Sequence, residues 1–375
     1  MRNRLFLGIT ALTFACHAKP DVSREQSADP RTIDIAVPTE RMSLPRALIA
    51  DRLANDILST VHGGDSSMYL STGSAAILTR EGFVVSDGHA LHIFNSEARL
   101  ISTHGRDGEG PGEYRYLRSM CYTIGDTLVV FDTGLNRVSI LAPDGTFLRS
   151  FSVGSGSVHA RNACLNDGTF IVNRYRARHQ FTVHRYGLDG EVRDSTLALS
   201  FDSSLGGLQI MAEPTLAAFD DSILFGDPWN GSVSLYDERG SLHQTLKLVG
   251  LDPGMIPEDM PMYARPRSGE SWNVPAKVKN FPYFQHIRVA PNGVLWYNDF
   301  PRNKYEPIRW HGFTRDGNRV GSIELDSSVV ANQMVSLEDF GATSVLLRIE
   351  HETRGAILRI VPLARLQSSE SGKRN

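Results

Sequence analysis

Cationic and sulfur-bearing side chains recur at a fixed interval in this chain, and they are the residues best suited to bind a ligand or form a crosslink. Arg118 and Arg161 lie 43 residues apart, as do Cys121 and Cys164. His286 precedes a later apolar strand in the same way that Arg161 precedes its own. Because guanidinium groups favour carboxylate and phosphate partners, the three cationic residues make one candidate binding position.

A similar interval governs the turns between these residues. Asp144-Gly145 and Asp189-Gly190 lie 45 residues apart, and Asp-Gly supplies the positive φ that tight hairpins need. A period of this size, made of short apolar runs between tight turns, is typical of β-propeller blades. The three cationic residues would each begin an inner strand, near one mouth of the central channel.

Six such units can be aligned, which predicts an all-β fold, a six-bladed β-propeller over residues 32–366. Blade six runs out of chain before its outer strand, so a strand at Ile33–Val37 is expected to complete it and close the ring. One short helix is predicted before blade one, from the N-cap Ser43 to about Val61. The first turns of the six blades lie near Gly82, Gly125, Gly168, Asp221, Gly293 and Gly341.

The N-terminus has the features of a bacterial secretory signal in residues 1–18. Arg2 and Arg4 precede an apolar stretch that is too short to span a bilayer as a mature helix. The segment ending in Cys16 resembles a lipoprotein cleavage site, in which Cys16 is acylated; ordinary cleavage after Ala18 is the alternative. We therefore expect an exported protein, a periplasmic or outer-membrane lipoprotein held to the membrane by its lipid alone.

Polar residues 19–31 are predicted to form a flexible tether, and residues 367–375 a disordered tail. The chain is 41% hydrophobic and 22% charged, which is typical of soluble globular domains. Its formal charge of −3 provides no global basic field, so nucleic acid is not an expected partner. A monomer is expected.

Loops between the second and third strands of each blade are expected to open on the same face as the three cationic residues. A long insertion, residues 250–284, adds Trp272 over this face, and long loops are often functional. We therefore predict a ligand-binding face of arginines and aromatic residues; a solvated loop face without a ligand is the alternative. The predicted binding residues are Arg118, Arg161, Arg176, Trp229, His286, Arg302 and Tyr305.

A glycine-rich segment between blades one and two reads H-G-R-D-G-E-G-P-G-E-Y. It resembles the G-[RK]-x-G-x-G-P-G-E-[FY] signature of a family of bacterial six-bladed β-propellers, which are related in architecture to NHL-repeat propellers and are often lipoproteins. The resemblance implies the fold and an exported location. It implies no settled activity and therefore assigns no catalytic residue. The matching residues are Gly105, Arg106, Gly108, Gly110, Pro111, Gly112, Glu113 and Tyr114.

The residues of this segment favour a structural loop over a ligand site. The glycines and Pro111 preorganise a tight turn, Tyr114 and Tyr116 are expected to anchor it, and Glu113 is expected to cap backbone amides or pair with Arg106. A phosphate loop would need a Lys-Ser/Thr end that is missing here. A calcium site would use the nearby carboxylates, but the D-x-[DN]-x-[DN]-G spacing is absent.

Export would permit a disulfide between Cys121 and Cys164; two buried, unpaired cysteines are the alternative. The sequence has no H-x-H or H-E-x-x-H zinc pattern and no G-x-S-x-G nucleophile elbow. We therefore expect no metal, no cofactor and no catalytic residue, and predict a binding module for an unidentified ligand or an envelope protein. The alternatives are a propeller hydrolase or lactonase with its site at the channel mouth, and a structural envelope module.

Overall fold

The computed structural model describes strands and turns over most of the predicted propeller. These described residues contain no helix, and hence no helix long and apolar enough for a membrane crossing. The helix predicted from Ser43 lies outside them. The described residues are 31–36, 75–97, 99–154, 163–177, 180–200, 215–220, 222–249, 282–299, 308–325, 333–351 and 355–362.

The strands are numbered in chain order, and each blade is a run of consecutive strands. Strand β1 precedes the blades; blade one is β2–β5, blade two β6–β9, blade three β10–β13, blade four β14–β17, blade five β18–β21 and blade six β22–β24. The bounds are β1 Arg31–Ala36, β2 Ala76–Leu78, β3 Gly82–Ser86, β4 Leu91–Asn95, β5 Leu100–His104, β6 Leu117–Tyr122, β7 Leu128–Asp132, β8 Arg137–Leu141, β9 Phe147–Ser152, β10 Ala163–Cys164, β11 Phe170–Ala177, β12 Gln180–Tyr186, β13 Val192–Ser200, β14 Thr215–Phe219, β15 Ser222–Asp227, β16 Ser232–Tyr236, β17 Leu242–Val249, β18 Phe284–Val289, β19 Leu295–Asp299, β20 Ile308–Phe313, β21 Arg319–Leu325, β22 Gln333–Phe340, β23 Ser344–His351 and β24 Gly355–Pro362.

Six sheets, in which the consecutive strands of each blade pair antiparallel, surround a central channel. Blades one to five have four strands of their own, and blade six has three within the described residues. The inner strands contact their neighbours in a closed cycle, in which β22 of blade six returns to β2 of blade one. The predicted all-β, six-bladed propeller is thereby confirmed.

Short apolar runs and positive-φ turns produce these blades. All five residues of β7 are buried, since this strand packs against a neighbouring blade on each side. The outer strand β17 instead alternates between buried and exposed positions. The hairpins before the outer strands of blades two and three turn at Gly145 and Gly190, whose φ values are 85° and 91°.

Apolar side chains between neighbouring blades form the core. Phe131 and Phe170 lie in the cluster between blades two and three. Between blades five and six, Trp296 stacks on Phe340 with ring centroids 4.8 Å apart. Because each large buried side chain contributes about 1.5–3 kcal/mol, a blade is stabilised chiefly by its two neighbours, and the channel wall depends on the closed ring.

The N-terminal strand is present, but it does not complete blade six. Strand β1, which overlaps the predicted Ile33–Val37, pairs in parallel with β17 of blade four, with Arg31 opposite Gln244. The prediction that this strand closes blade six is therefore wrong. Every outer strand of the ring offers a row of backbone N–H and C=O groups, and side-chain alternation alone does not tell a strand which edge to join.

Candidate functional site

The inner strands enclose a cavity of about 1980 Å³ that forms the channel of the ring. Inner strands begin at one face, here called the upper face, and end at the lower face. Small-molecule pockets usually measure about 300–1,000 Å³, so a small ligand would fill only part of this channel. The charged and histidine residues in its described lining are Arg80, Glu81, His104, Arg118, Asp126, Asp144, Asp220, His286, Arg288, Glu338 and Asp339.

Arg118 is an exposed cation at the upper mouth of the cavity. It lies at a register shift in β6, between Leu117 and Ser119, where a bulge redirects a side chain. Its Cζ atom lies 4.5 Å from the centroid of the Tyr116 ring. Stacking on an aromatic ring covers one face of the guanidinium and leaves its N–H edge free to meet a carboxylate or phosphate.

Asp132 holds the segment that carries this stacked pair. The residue is fully buried at the end of β7. Its carboxylate accepts hydrogen bonds from the N–H groups of Arg115 at 2.8 Å and Tyr116 at 3.1 Å, and from Gly134 at 2.9 Å and Leu135 at 3.1 Å. One buried side chain therefore fixes both the approach to β6 and the loop after β7.

His286 lines the cavity from the opposite wall, because blades two and five are three places apart in a ring of six. It is half-buried in β18, and its backbone N–H donates to Asn298 Oδ1 at 2.6 Å. The cavity therefore has the Arg118 guanidinium on one wall and a histidine on the opposite wall.

Arg118 and His286 share this mouth, but they are not equivalent residues of the repeat. The pairing of inner and second strands aligns Leu117 of blade two with Phe284 of blade five. Arg118 therefore corresponds to Gln285, and the predicted equivalence with His286 is wrong by one residue.

Of the other predicted binding residues, only Trp229 has a described side chain. Trp229 is half-buried in the turn after β15, where its backbone N–H donates to Asp227 Oδ1 at 3.1 Å, and it is not among the residues that line the cavity. Arg176 belongs to β11, but its side chain is not among those that the structure describes. Three predicted residues lie outside the described segments: Arg161, Arg302 and Tyr305.

The glycine-rich segment forms a compact loop organised by Glu113. Its Oε1 atom accepts from Arg106 Nε at 2.8 Å, and its Oε2 atom accepts from the Gly110 N–H at 2.8 Å. These hydrogen bonds hold the pKa of Glu113 below its ordinary value. Glu113 thus makes both contacts considered from the sequence, the amide cap and the arginine pair.

Tyr114 anchors the loop in the core between blades one and two, where it is 1% exposed and belongs to the same cluster as Val84. A Cβ added at Gly105, which has a φ of 96°, would lie 2.6 Å from the Tyr114 ring. Tyr116, expected to be a second anchor, is 40% exposed and stacks against Arg118 instead. The loop therefore supports the upper mouth through Tyr116, which follows it in sequence and stacks against Arg118, rather than enclosing a ligand itself.

Cys121 and Cys164 form a disulfide in the channel wall, with their Cα atoms 5.7 Å apart. The bond joins β6 of blade two to β10 of blade three. The alternative of two unpaired cysteines is therefore excluded. This crosslink reinforces a boundary that apolar packing already holds.

Carboxylates of the cavity wall were missed by the sequence reasoning, which expected a cationic lining. Arg288, Glu338 and Asp339 lie together, and Arg288 Nε donates to the Glu338 carbonyl oxygen at 3.1 Å. Burial raises the pKa of Asp339 to about 6, against the opposing effects of hydrogen bonds and Arg288. Within the described residues, no three His, Cys, Asp or Glu side chains are grouped so as to hold a metal ion.

Aspartates at the ends of second strands are a further set that the sequence reasoning did not recognise as one. In blade one, Asp87 Oδ2 lies 2.9 Å from His92 Nε2, and His92 Nδ1 lies 3.1 Å from Thr103 Oγ1. In blade five, Asp299 Oδ1 lies 3.1 Å from His311 Nε2. The sequence pattern that could have revealed this set is an aspartate at the end of the second apolar run of a blade, or directly after it. It occurs in four blades, at Asp87, Asp132, Asp227 and Asp299.

Comparison with known proteins identifies the fold. No protein-family model matches the chain, and no curated protein matches its sequence. A Bacteroides fragilis protein for which export has been proposed matches with a TM-score of 0.50 and 12% identity, covering 85% of this chain and 88% of that one. A Bacteroides vulgatus member of the DUF4221 family matches with a TM-score of 0.50 and 10% identity, covering 80% and 95%.

A streptogramin B lyase matches more loosely, with a TM-score of 0.45 and 9% identity over 79% of this chain and 85% of that one. At these identities the comparisons concern the fold alone. The propeller itself is shown by the six sheets of the described strands. One of these neighbours, the Bacteroides fragilis protein, is a protein for which export has been proposed.

Proposed function

We propose that this propeller is an exported binding module that takes a ligand bearing a carboxylate or phosphate group at its upper mouth. The observation that carries the proposal is Arg118, an exposed guanidinium stacked on Tyr116 at the edge of a cavity of about 1980 Å³. No carboxylate partner of Arg118 is present among the described residues. His286 lies on the opposite wall of the same cavity.

A ligand screen with a matched pair of variants tests this proposal. The wild-type protein should be stabilised against heat by members of a panel of dicarboxylates and phosphate esters, because a ligand selective for the native state raises its stability. Arg118→Gln should weaken binding about 10- to 100-fold, since a hydrogen bond to a charged group contributes about 1.5–3 kcal/mol. Arg149→Gln, which changes an exposed arginine of the outer strand β9, should bind as the wild type does.

Other results would favour the alternatives. Binding that is equal in Arg118→Gln and the wild type would contradict the proposed site. Turnover of ester or lactone members of the panel would favour a hydrolase. If no small molecule binds while an envelope protein is captured equally by both forms, the structural-module alternative is favoured.

We further propose that the chain is a lipoprotein anchored through Cys16 and that the Gly105–Tyr114 loop marks the bacterial propeller family that its sequence resembles. The signal-like N-terminus supports export, and so does the shared fold with a protein for which export has been proposed. In a bacterial host, Cys16→Ser should release the protein from membranes and abolish labelling by a fatty-acid probe. Unchanged membrane association would contradict the anchor.

A further inference from the structure

The Cys121–Cys164 disulfide lies in the wall of the channel and is more exposed than the residues beside it. Both cysteines are half-buried, and both belong to the lining of the cavity. The residues that precede them, Met120 and Ala163, are only 5% and 8% exposed. Because a disulfide exchanges only with a thiolate that has access to one of its sulfur atoms, the channel gives a thiol a route to this bond.

Apolar packing holds blades two and three together independently of the disulfide. Phe131 of β7 and Phe170 of β11 belong to one apolar cluster at this boundary, and both are 0% exposed. The ring of Phe151, on the outer strand of blade two, lies 6.1 Å from that of Phe170. Since these buried contacts remain when the S–S bond opens, the disulfide can react within the folded propeller.

Arg118 and Cys121 lie on the same strand and line the same cavity. They are three residues apart on β6, and a strand rises about 3.3 Å per residue, so their Cα atoms are separated by about 10 Å along the wall. The proposed function assigns a ligand carboxylate to Arg118, and the present inference rests on that assignment. A ligand that carries both a carboxylate and a thiol would therefore bring its sulfur to the disulfide while its carboxylate contacts the guanidinium.

We propose that the channel wall is a thiol-exchange site, at which a carboxylate-bearing thiol of the cysteinyl-peptide class is held by Arg118 and forms a mixed disulfide with Cys121 or Cys164. The thiolate of the ligand attacks one sulfur of the protein disulfide, so a new S–S bond forms as the Cys121–Cys164 bond breaks. The electron pair of the broken bond stays on the departing cysteine, which takes up a proton from water. The proton of the ligand thiol goes to the solvent, and no other oxidant or reductant is required.

Glutathione and its diethyl ester are matched probes of this site, because they share one thiol and the ester lacks the carboxylates. Mixed-disulfide formation with the native protein is quenched by alkylation and followed by mass spectrometry, and each rate is divided by the thiolate fraction of the probe. Peptide mapping distinguishes adducts at Cys121 and Cys164 from any at Cys16, the third cysteine of the chain.

Glutathione should react about 10- to 100-fold faster than the ester, which is the effect of one hydrogen bond to a charged group. Arg118→Gln should lower this ratio to about one. Arg149→Gln, which changes an exposed arginine of β9, should keep the ratio of the wild type. If Arg118→Gln fails to fold, the wild type decides, because the preference for glutathione should shrink as salt is added, and a ratio that salt does not change overturns the proposal.

Three other results would also overturn the exchange site. The first is an equal rate for the two probes with the wild type, and the second is an adduct that forms only after urea has unfolded the protein. The third is a preference for glutathione that is unchanged in Arg118→Gln. Arg118-dependent binding of dicarboxylates without any adduct would overturn the exchange site alone and leave the proposed function in place.

Discussion

Removing the Cys121–Cys164 disulfide should destabilise the propeller by about 4 kcal/mol. The two cysteines are 43 residues apart in sequence. The chain-entropy expression for a closed loop of that length gives about 13 cal/mol/K, or about 4 kcal/mol at 25 °C. Urea denaturation of Cys121→Ala/Cys164→Ala, monitored by circular dichroism, should show a lower midpoint and a larger dependence on urea, because the unfolded chain is no longer constrained.

Single variants sharpen this test. Cys121→Ala alone and Cys164→Ala alone should each lose as much stability as the double variant, because either change breaks the same bond. A reducing agent should reproduce the loss in the wild type and leave the double variant unchanged. The reasoning is refuted if the double variant loses less than about 1 kcal/mol, or if the losses of the two single variants add, as they would for two cysteines that merely pack.

Two further changes should separate strain and charge effects. Gly105→Ala should lower the free energy of unfolding by about 2–4 kcal/mol, because its Cβ would lie 2.6 Å from the Tyr114 ring. The control is Gly88→Ala, which has a similar φ of 101° but open space around the added Cβ, and it should lower the free energy of unfolding by only about 1 kcal/mol. Equal losses of the two variants in urea unfolding would contradict the steric argument. Burial opposes ionisation of Asp87, but hydrogen bonds from His92 and the backbone lower its pKa from 3.8 to about 2. Stability of the wild type should therefore fall by about 1–2 kcal/mol, after discounting for partial exposure, as the pH drops from about 4 to about 2; thermal melts of Asp87→Asn should lack this fall, and an identical acid profile would argue against the pair.

The blade count was predictable from sequence because local signals define it. Each blade requires a tight first turn and apolar runs of four to six residues, and both are visible without long-range information. The register within a blade was harder. The positive φ in the first turn of blade two belongs to Asp126, at 58°, and not to Gly125. Since aspartate tolerates this conformation without being a glycine, aligning Gly125 with Gly168 shifted the inner strand by one residue.

The site was predictable in part for a related reason. Arg118 was placed at the channel mouth because position within the repeat determines it. Asp339 was not recognised, since its environment is made by Arg288 of one blade and Leu78 of another, which are far apart in sequence. The partner of β1 was equally hidden, because six blades offer similar outer edges and tertiary packing selects among them.

The parallel pairing of β1 with β17 also has a mechanical consequence for the whole molecule. Strand β17 runs toward the upper face, so Arg31, which lies opposite Gln244 near its beginning, is at the lower end of blade four. The polypeptide before Arg31 therefore joins the ring at the face opposite to Arg118. If Cys16 carries the proposed lipid, fifteen residues, at most about 54 Å of extended chain, separate that lipid from the point where the chain enters the ring, which lies on the face opposite to Arg118.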